Sequence, residues 1–464
     1  SIPTKPNAVA KNTKSRTDLF AFISISPIIK EGNNFKKIKS FSYSLSSREN
    51  RLSSTNNEFN TISNSVLTSG NWYRFYVVKS GVYRITKSFL SELGVNVDGV
   101  DPRKIKIYGN GGRMIPLENS QYYPADLAEN AIQVFGEDDG AFNNSDYILF
   151  YAEGVDQWSN DSQTTNNLYD SKSYYYINVQ GNDGKRMTNM PQPSAASDVV
   201  INTFDDYQYH ELDKVNIVRL GRRWFGEQFD FENQQEIDFK IPNINTNTPV
   251  NVFVYTAAIS TTTTSMEVKA NSETVGNMTF NPVATSVRAN WDTLSVNVTA
   301  TENIRISLNY NNNGVPDSKG YLDYIRLKSK RNLMGYGKQF QFQHDAASSS
   351  TQVGEYQITN ASNITEVWNI TDLYNVTKTV NNNQSTFSFK SLFGSVQKYI
   401  AVDNNDYYTP SIDSRPRVAN QNLKGTIFLN AQNQFQDIDY LIICPTFLKN
   451  QAEKLANFHR NYSQ

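Results

Sequence analysis

The sequence predicts a mainly β protein: tandem sandwich or jelly-roll-like modules, followed by the first strand and helix of an α/β domain at the C-terminal end. Three observations predict this. Aromatic residues reach 12% of the chain, with 27 Tyr and 26 Phe, while hydrophobic residues as a whole stay at 38%. That balance suits short strands that bury rings on their inner faces. Between 200 and 345, stretches of alternating apolar and polar residues follow one another at close, regular spacing, separated by Asn/Gly/Thr turns and without a long helical pattern. The final stretch, "DYLIICPTFLKNQAEKLANFHRNYSQ", changes from an apolar run to a helical period.

Taken in order, residues 1–68 read as an N-terminal β hairpin and linker. Residues 1–17 are polar and lack periodicity, as in a loose arm. "DLFAFISISPI" suggests a strand buried on both faces, and "FKKIKSFSYSLSS" brings Phe41, Tyr43 and Leu45 to one face, with a turn at Glu31–Asn34 between them. Residues 46–68 are Ser- and Asn-rich. Residues 69–199 form a β-rich module. It opens with "NWYRFYVVKSGVYRIT", a strand, a turn and a strand; Thr86 then caps a short helix that Gly94 stops. "DPRKIKIYGNGGRMIPL" reads as a loop and a hairpin. Residues 200–345 form the jelly-roll-like sandwich, and 346–436 a further β module, a Pro-containing connector ("TPSIDSRPRVANQN") and a short strand, "GTIFLN". In residues 437–464, Asp439–Ile443 reads as a buried strand and Leu448, Ala452, Leu455 and Phe458 recur at helical spacing. Such a βα unit needs further parallel strands to cover it, so the segment reads as the start of a domain.

Charge sets limits on function. With 45 acidic and 44 basic residues the formal charge is −1, which gives no global attraction to nucleic acid. The charges are unevenly placed. Residues 1–51 hold ten Lys and Arg against three acids, and residues 114–161 hold ten acids with no Lys or Arg; independently solvated surfaces are preferred to a mutual contact. One cysteine rules out an internal disulfide framework. No apolar run is long enough to span a bilayer as a helix. Ser1 reads as a processed or trimmed start.

The side chains offer few candidates for chemistry. Cys444 follows the apolar run Tyr440–Ile443 and is expected in a core. His210 and His344 sit among aromatics in strands, His459 lies on a helix face, and together the three make no catalytic constellation with the thiol. "GEDDGAFNNSD", Gly136–Asp146, offers Asp138, Asp139 and Asp146 as oxygen ligands for Ca²⁺, although a tight turn demands the same residues and is preferred. "IYGNGG" resembles a phosphate loop, but no helix follows it, so a positive-φ turn is expected. "QYYPAD", "DYYTP" and "DQWSND" carry Tyr and Trp suited to stacking on sugars, although such rings mostly serve cores.

Six stretches occur in an order that resembles a known family: "SGNWYRFYVVKSGVYRITKSFLSELGV", "KIKIYGNGGRMIP", "DLAENAIQVFGEDDGAFNNSDYILFYAEGVDQW", "RRWFGEQFDFE", "GYLDYIRLKSKRNL" and "DYLIICPTFLKNQAEKLANFHR". From about residue 69 onward the chain is similar to the N-terminal half of the gingipain-like sortases of the type IX secretion system, which are cysteine peptidases. The resemblance implies an exported protein at the cell surface, associated with the outer membrane. Such an enzyme removes the C-terminal sorting domain of secreted cargo and joins the cargo to anionic lipopolysaccharide, through thiolate attack and an acyl-enzyme. The implied partners are the outer-membrane barrel protein PorV and the cargo. The resemblance further implies that the catalytic His and Cys lie beyond Gln464, that Cys444 is not the nucleophile, and that this chain is a non-catalytic front region needing no cofactor. The alternative function is a surface adhesin or carbohydrate-binding sandwich, motivated by residues 200–345 and the Tyr/Trp loops. A third reading is a front region that blocks its own peptidase.

Overall fold

The computed structural model describes residues 8–15, 18–32, 34–40, 64–118, 120–160, 162–219, 221–284, 287–438 and 440–462. The chain divides into two compact units, residues 1–59 and 60–464.

In the first unit, Ala8–Ser15 pairs antiparallel with Asp18–Ile25, so part of the expected loose arm is a strand. Its pairing comes from the open edge of its neighbour and not from any period of its own. The expected hairpin turn does form, but it joins Ile28–Glu31 to Asn34–Lys37, with Gly32 at φ +62°. The face carrying Phe41, Tyr43 and Leu45 lies outside the described residues.

The second unit is a succession of β sandwiches. In the first of these, a five-stranded sheet (Ser411–Val418, Trp72–Val77, Ser173–Asn178, Lys106–Tyr108, Glu129–Asn130, in spatial order) faces a three-stranded one (Gly81–Thr86, Tyr147–Ala152, Gln133–Phe135). Phe75 is fully buried between them and meets Phe89, Phe150 and Tyr175. Trp72–Val77 and Gly81–Thr86 enter different sheets, so the exposed turn between them bridges the two sheets at the end of the sandwich. The helix Lys87–Glu92 begins where expected, with Thr86 Oγ1 accepting from Phe89 N at 3.3 Å, and Gly94 follows it at φ +94°. Ser411–Val418, expected to be a connector, returns to the outer edge of the five-stranded sheet. Its register shifts between Ile412 and Arg417, which accommodates Pro416.

The jelly-roll-like part follows the alternation in the sequence. Val250, Val252 and Val254 point inward from Val250–Ile259, beside Leu322, Ile325 and Leu327 of Lys319–Asn332. They meet a four-stranded sheet whose Ile237, Phe239, Met266, Val268, Ile304 and Ile306 face back. Each such side chain contributes about 1.5–3 kcal/mol on burial. The same large sheet does not stop at residue 345. Thr203–Glu211 pairs with Lys319–Asn332 along its whole length and touches Phe340–Gln343 through Asp205 and Gln343. From there the ladder continues through Lys398–Asp403, Ile364–Asn369, Thr377–Val380 and Thr188–Asn189, ten strands in all. A three-stranded sheet (Val199–Ile201, Val353–Ile358, Phe387–Leu392) backs this half over Phe342, Tyr356, Phe389 and Tyr399.

The C-terminal stretch departs from the sequence reading. "GTIFLN" is not a strand: Leu423–Thr426 is a helical turn because Asn422 Oδ1 caps it, accepting from Gly425 N at 3.3 Å. Tyr440–Ile443 has no ladder partner, since among the described residues no strand lies beside it. The expected helix does form, as Lys449–Tyr462 after a short turn at Thr446–Leu448. Cys444, expected in a core, is exposed.

Candidate functional site

The acidic loop is a compact turn. Glu137–Asp139 is a single 3₁₀ turn flanked by Gly136 and Gly140 at positive φ. Asp139 accepts from Ala141 N and Asn143 Nδ2, both at 2.9 Å, and Asp146, which is buried, accepts from Asn143 N at 2.6 Å. Asp138 is exposed. Glu137 pairs with Arg186 at 2.8 Å. Among the described residues, no group of three or more His, Cys, Asp and Glu is placed to hold a metal ion.

The histidines are dispersed. His210 Nε2 lies 2.7 Å from Glu227 Oε1. His344 packs against Phe393, and burial, with Lys330 nearby, lowers its pKa. The ring of His459 lies 4.1 Å from that of Tyr440. One carboxyl stands out electrostatically. Asp323 is 2% exposed and ion-paired with Arg223. Burial, aided by Glu211 and Asp213, outweighs the guanidinium and pushes its pKa up to about 7.

A groove is built on the "IYGNGG" turn. That turn folds as expected at Gly111, with φ +76°, but "RMIPL" does not continue as a hairpin strand. Close backbone approach explains the difference. A Cβ at Gly109 would stand 2.5 Å from the Tyr175 ring, and one at Gly112 2.4 Å from the Gly154 carbonyl. The chain is thereby pressed onto the sheet edge and leaves it as a loop. Asn110 ties the loop's base: its side chain donates to Asp126 O at 3.0 Å and accepts from Ala128 N at 3.1 Å. Arg113 then reaches Glu153 through two bonds, Nε to Oε1 at 2.7 Å and Nη2 to Oε2 at 2.6 Å.

Around Arg113 lie two adjoining clefts of about 590 and 610 Å³, which share Arg113, Met114, Ile115, Pro116 and Tyr123. Tyr122, Trp158, Asn160 and Tyr374 complete the first; Tyr169, Lys172 and Tyr174 help to line the second. Trp158 also borders a third cleft of about 550 Å³, toward Tyr207 and Arg326. The indole stacks on Tyr209 at 4.8 Å and donates Nε1–H to Asn160 Oδ1 at 2.8 Å. Burial pushes the phenols of Tyr123 and Tyr374 above the usual tyrosine range, so both remain protonated donors at neutral pH. Two of the three stretches singled out for sugar stacking, "QYYPAD" and "DQWSND", thus meet in one place. The third does not join them: Tyr408 of "DYYTP" packs on Tyr83 in the first sandwich. Arg113, Glu153 and Tyr374 were not identified from the sequence. The available signal was the cation bordering a long segment with no Lys or Arg.

A second surface lies at the C-terminal helix. Ile443 is 88% exposed, Phe447 81% and Leu455 43%, with Leu441 exposed beside them. Among the described residues, no helix is long and apolar enough to cross a membrane.

No protein-family model matches the chain, and no curated protein matches it in sequence. Among solved structures, its fold is similar to a crystal structure of dimeric latent PorU from Porphyromonas gingivalis. The TM-score is 0.69 at 21% identity, over 87% of this chain and 37% of that one. The chain therefore spans well under half the length of that structure. A carbohydrate-binding module in complex with calcium and xylotriose is also similar, with TM-score 0.16 and 20% identity over 20% of this chain and 71% of its own. So is the C-terminal carbohydrate-binding module of a laminarinase from Zobellia galactanivorans, with TM-score 0.16 and 12% identity over 27% of this chain and all of that one. Likenesses of that size carry no argument. The likeness to PorU establishes the fold: tandem β sandwiches in the arrangement of that protein.

Proposed function

We propose that this chain is the non-catalytic β region of a type IX secretion sortase, positioned at the cell surface and associated with the outer membrane. The observation that carries the reading is the fold similarity to PorU over 87% of the chain. In this reading the parent protein cleaves the C-terminal sorting domain from secreted cargo and transfers the cargo to anionic lipopolysaccharide. The sandwiches hold cargo or the barrel partner PorV. The exposed Leu441, Ile443, Phe447 and Leu455 are the contact with a gingipain-like α/β catalytic domain, which would cover an apolar surface that water otherwise meets.

The experiment is genetic and direct. Cells lacking this protein should accumulate cargo that retains its sorting domain, and restoring the intact gene should restore cleavage. Normal cargo processing in the deletion strain would overturn the reading. Co-purification of PorV with the protein from outer membranes tests the partner separately.

A further inference from the structure

We propose that the groove centred on Arg113 and Trp158 binds a neutral oligosaccharide. The inference does not rest on the sortase reading.

Three features of the groove carry it. First, its rings are placed for contact. Tyr122 is 76% exposed on the rim, in a loop whose base is fixed by Asn110 and whose floor is fixed by Arg113 and Glu153. Trp158 is backed by Tyr209, so the indole is held in place before any ligand arrives. A pyranose offers an apolar C–H face and a rim of hydroxyls, and it is matched by flat rings flanked by amides. Here Gln121, Gln157 and Asn160 stand beside Tyr122, Tyr123 and Trp158.

Second, the charge is already balanced. Both carboxylate oxygens of Glu153 are engaged by Arg113, so the cation at the centre gives little net attraction to an anion. Asp170 and Lys172 offset each other in the adjoining cleft. A neutral ligand suffers no charge mismatch, whereas an acidic one finds no unpaired partner at the centre.

Third, the shape is that of a trough for a chain. Two clefts share one wall, and Trp158 leads to the third. Several sugar units fit such a volume better than one. A peptide adding as a strand would need an open sheet edge. The strand that contributes Tyr174 and Tyr176, Ser173–Asn178, is paired with Trp72–Val77 on one side; on the other, Tyr176–Asn178 pairs with Lys106–Tyr108, and the turn that follows fills the rest of that edge by bringing Gly109 against Tyr175 and Gly112 against Ser173.

The test is calorimetric titration of the full chain with cellohexaose, maltohexaose and mannohexaose as neutral probes at about 1 mM. A hexagalacturonate serves as the acidic probe and an uncharged unstructured peptide as the protein-like one. At least one neutral probe should bind saturably. Tyr122→Ala and Trp158→Ala should each weaken it by about tenfold. Phe231→Ala, which removes a ring 97% exposed elsewhere, should leave binding unchanged. Tyr122→Ala decides the matter if Trp158→Ala fails to fold, because removing so exposed a ring leaves the core intact. The proposal is overturned if none of the neutral probes binds, if the acidic probe or the peptide binds more tightly, or if Phe231→Ala is as damaging as Tyr122→Ala.

Discussion

The jelly-roll-like sandwich and the C-terminal segment obey the same sequence rule with opposite results. In Val250–Ile259, buried and half-buried residues alternate from Val250 to Tyr255, and Val250, Val252 and Val254 all reach a core supplied by the facing sheet. In 440–462 the apolar residues recur at helical spacing, yet Ile443, Phe447 and Leu455 meet water. Periodicity specifies a face but does not supply what covers it. The helix Lys449–Tyr462 forms because its hydrogen bonds are internal, whereas Tyr440–Ile443 needs a neighbouring strand to become one.

Energetics provide the sharpest way to break this comparison. Ile325→Ala in the sandwich core should cost about 2–5 kcal/mol in urea unfolding, because it opens a cavity in a fully buried site. Leu455→Ala in this chain should change stability by less than about 0.5 kcal/mol. Equal losses would mean that the terminal helix is packed as tightly as the core. Next in size, Gly112→Ala should cost about 1–3 kcal/mol, since its Cβ would meet the Gly154 carbonyl at 2.4 Å.

A subtler contrast lies in pH. The Asp323 pKa in the folded chain, about 7, lies above its ordinary value of 3.8, so the protonated form is favoured on folding. The stability it contributes is complete below pH about 4 and is lost as pH rises through about 7. Asp323→Asn should therefore gain stability relative to the parent as pH rises across that window, measured as paired melting curves. A constant difference at all pH values would contradict the raised pKa.

The smallest effect concerns the acidic loop. Asp139 and Asp146 already accept turn hydrogen bonds, so adding calcium should leave the melting midpoint unchanged. A rise that Asp138→Asn or Asp146→Asn abolishes would support the ligand reading for this loop instead.

Much of the fold was legible because alternation is a local signal. The strands from 250 to 332 and the Thr86-capped helix needed no knowledge of distant partners. Ser411–Val418 was not legible, because Pro416 and its polar neighbours are tolerated only at a bulged sheet edge. Ala8–Ser15 has no period, and only its neighbour makes it a strand. The ten-stranded ladder was hidden for a related reason: a single bridge, Asp205 to Gln343, joins its halves. In the groove, "QYYPAD" and "DQWSND" were visible as stretches, but their meeting depends on glycines that press the chain against Tyr175 and Gly154. Sequence spacing carries no trace of such a contact.

Hydrogen–deuterium exchange across 440–462 tests the central claim most directly. It would be measured in this chain alone and in the protein isolated from the cells that make it. A catalytic domain docked on Leu441, Ile443, Phe447 and Leu455 should slow exchange there strongly in the isolated protein, while this chain alone exchanges fast. The same fast exchange in both would contradict the account.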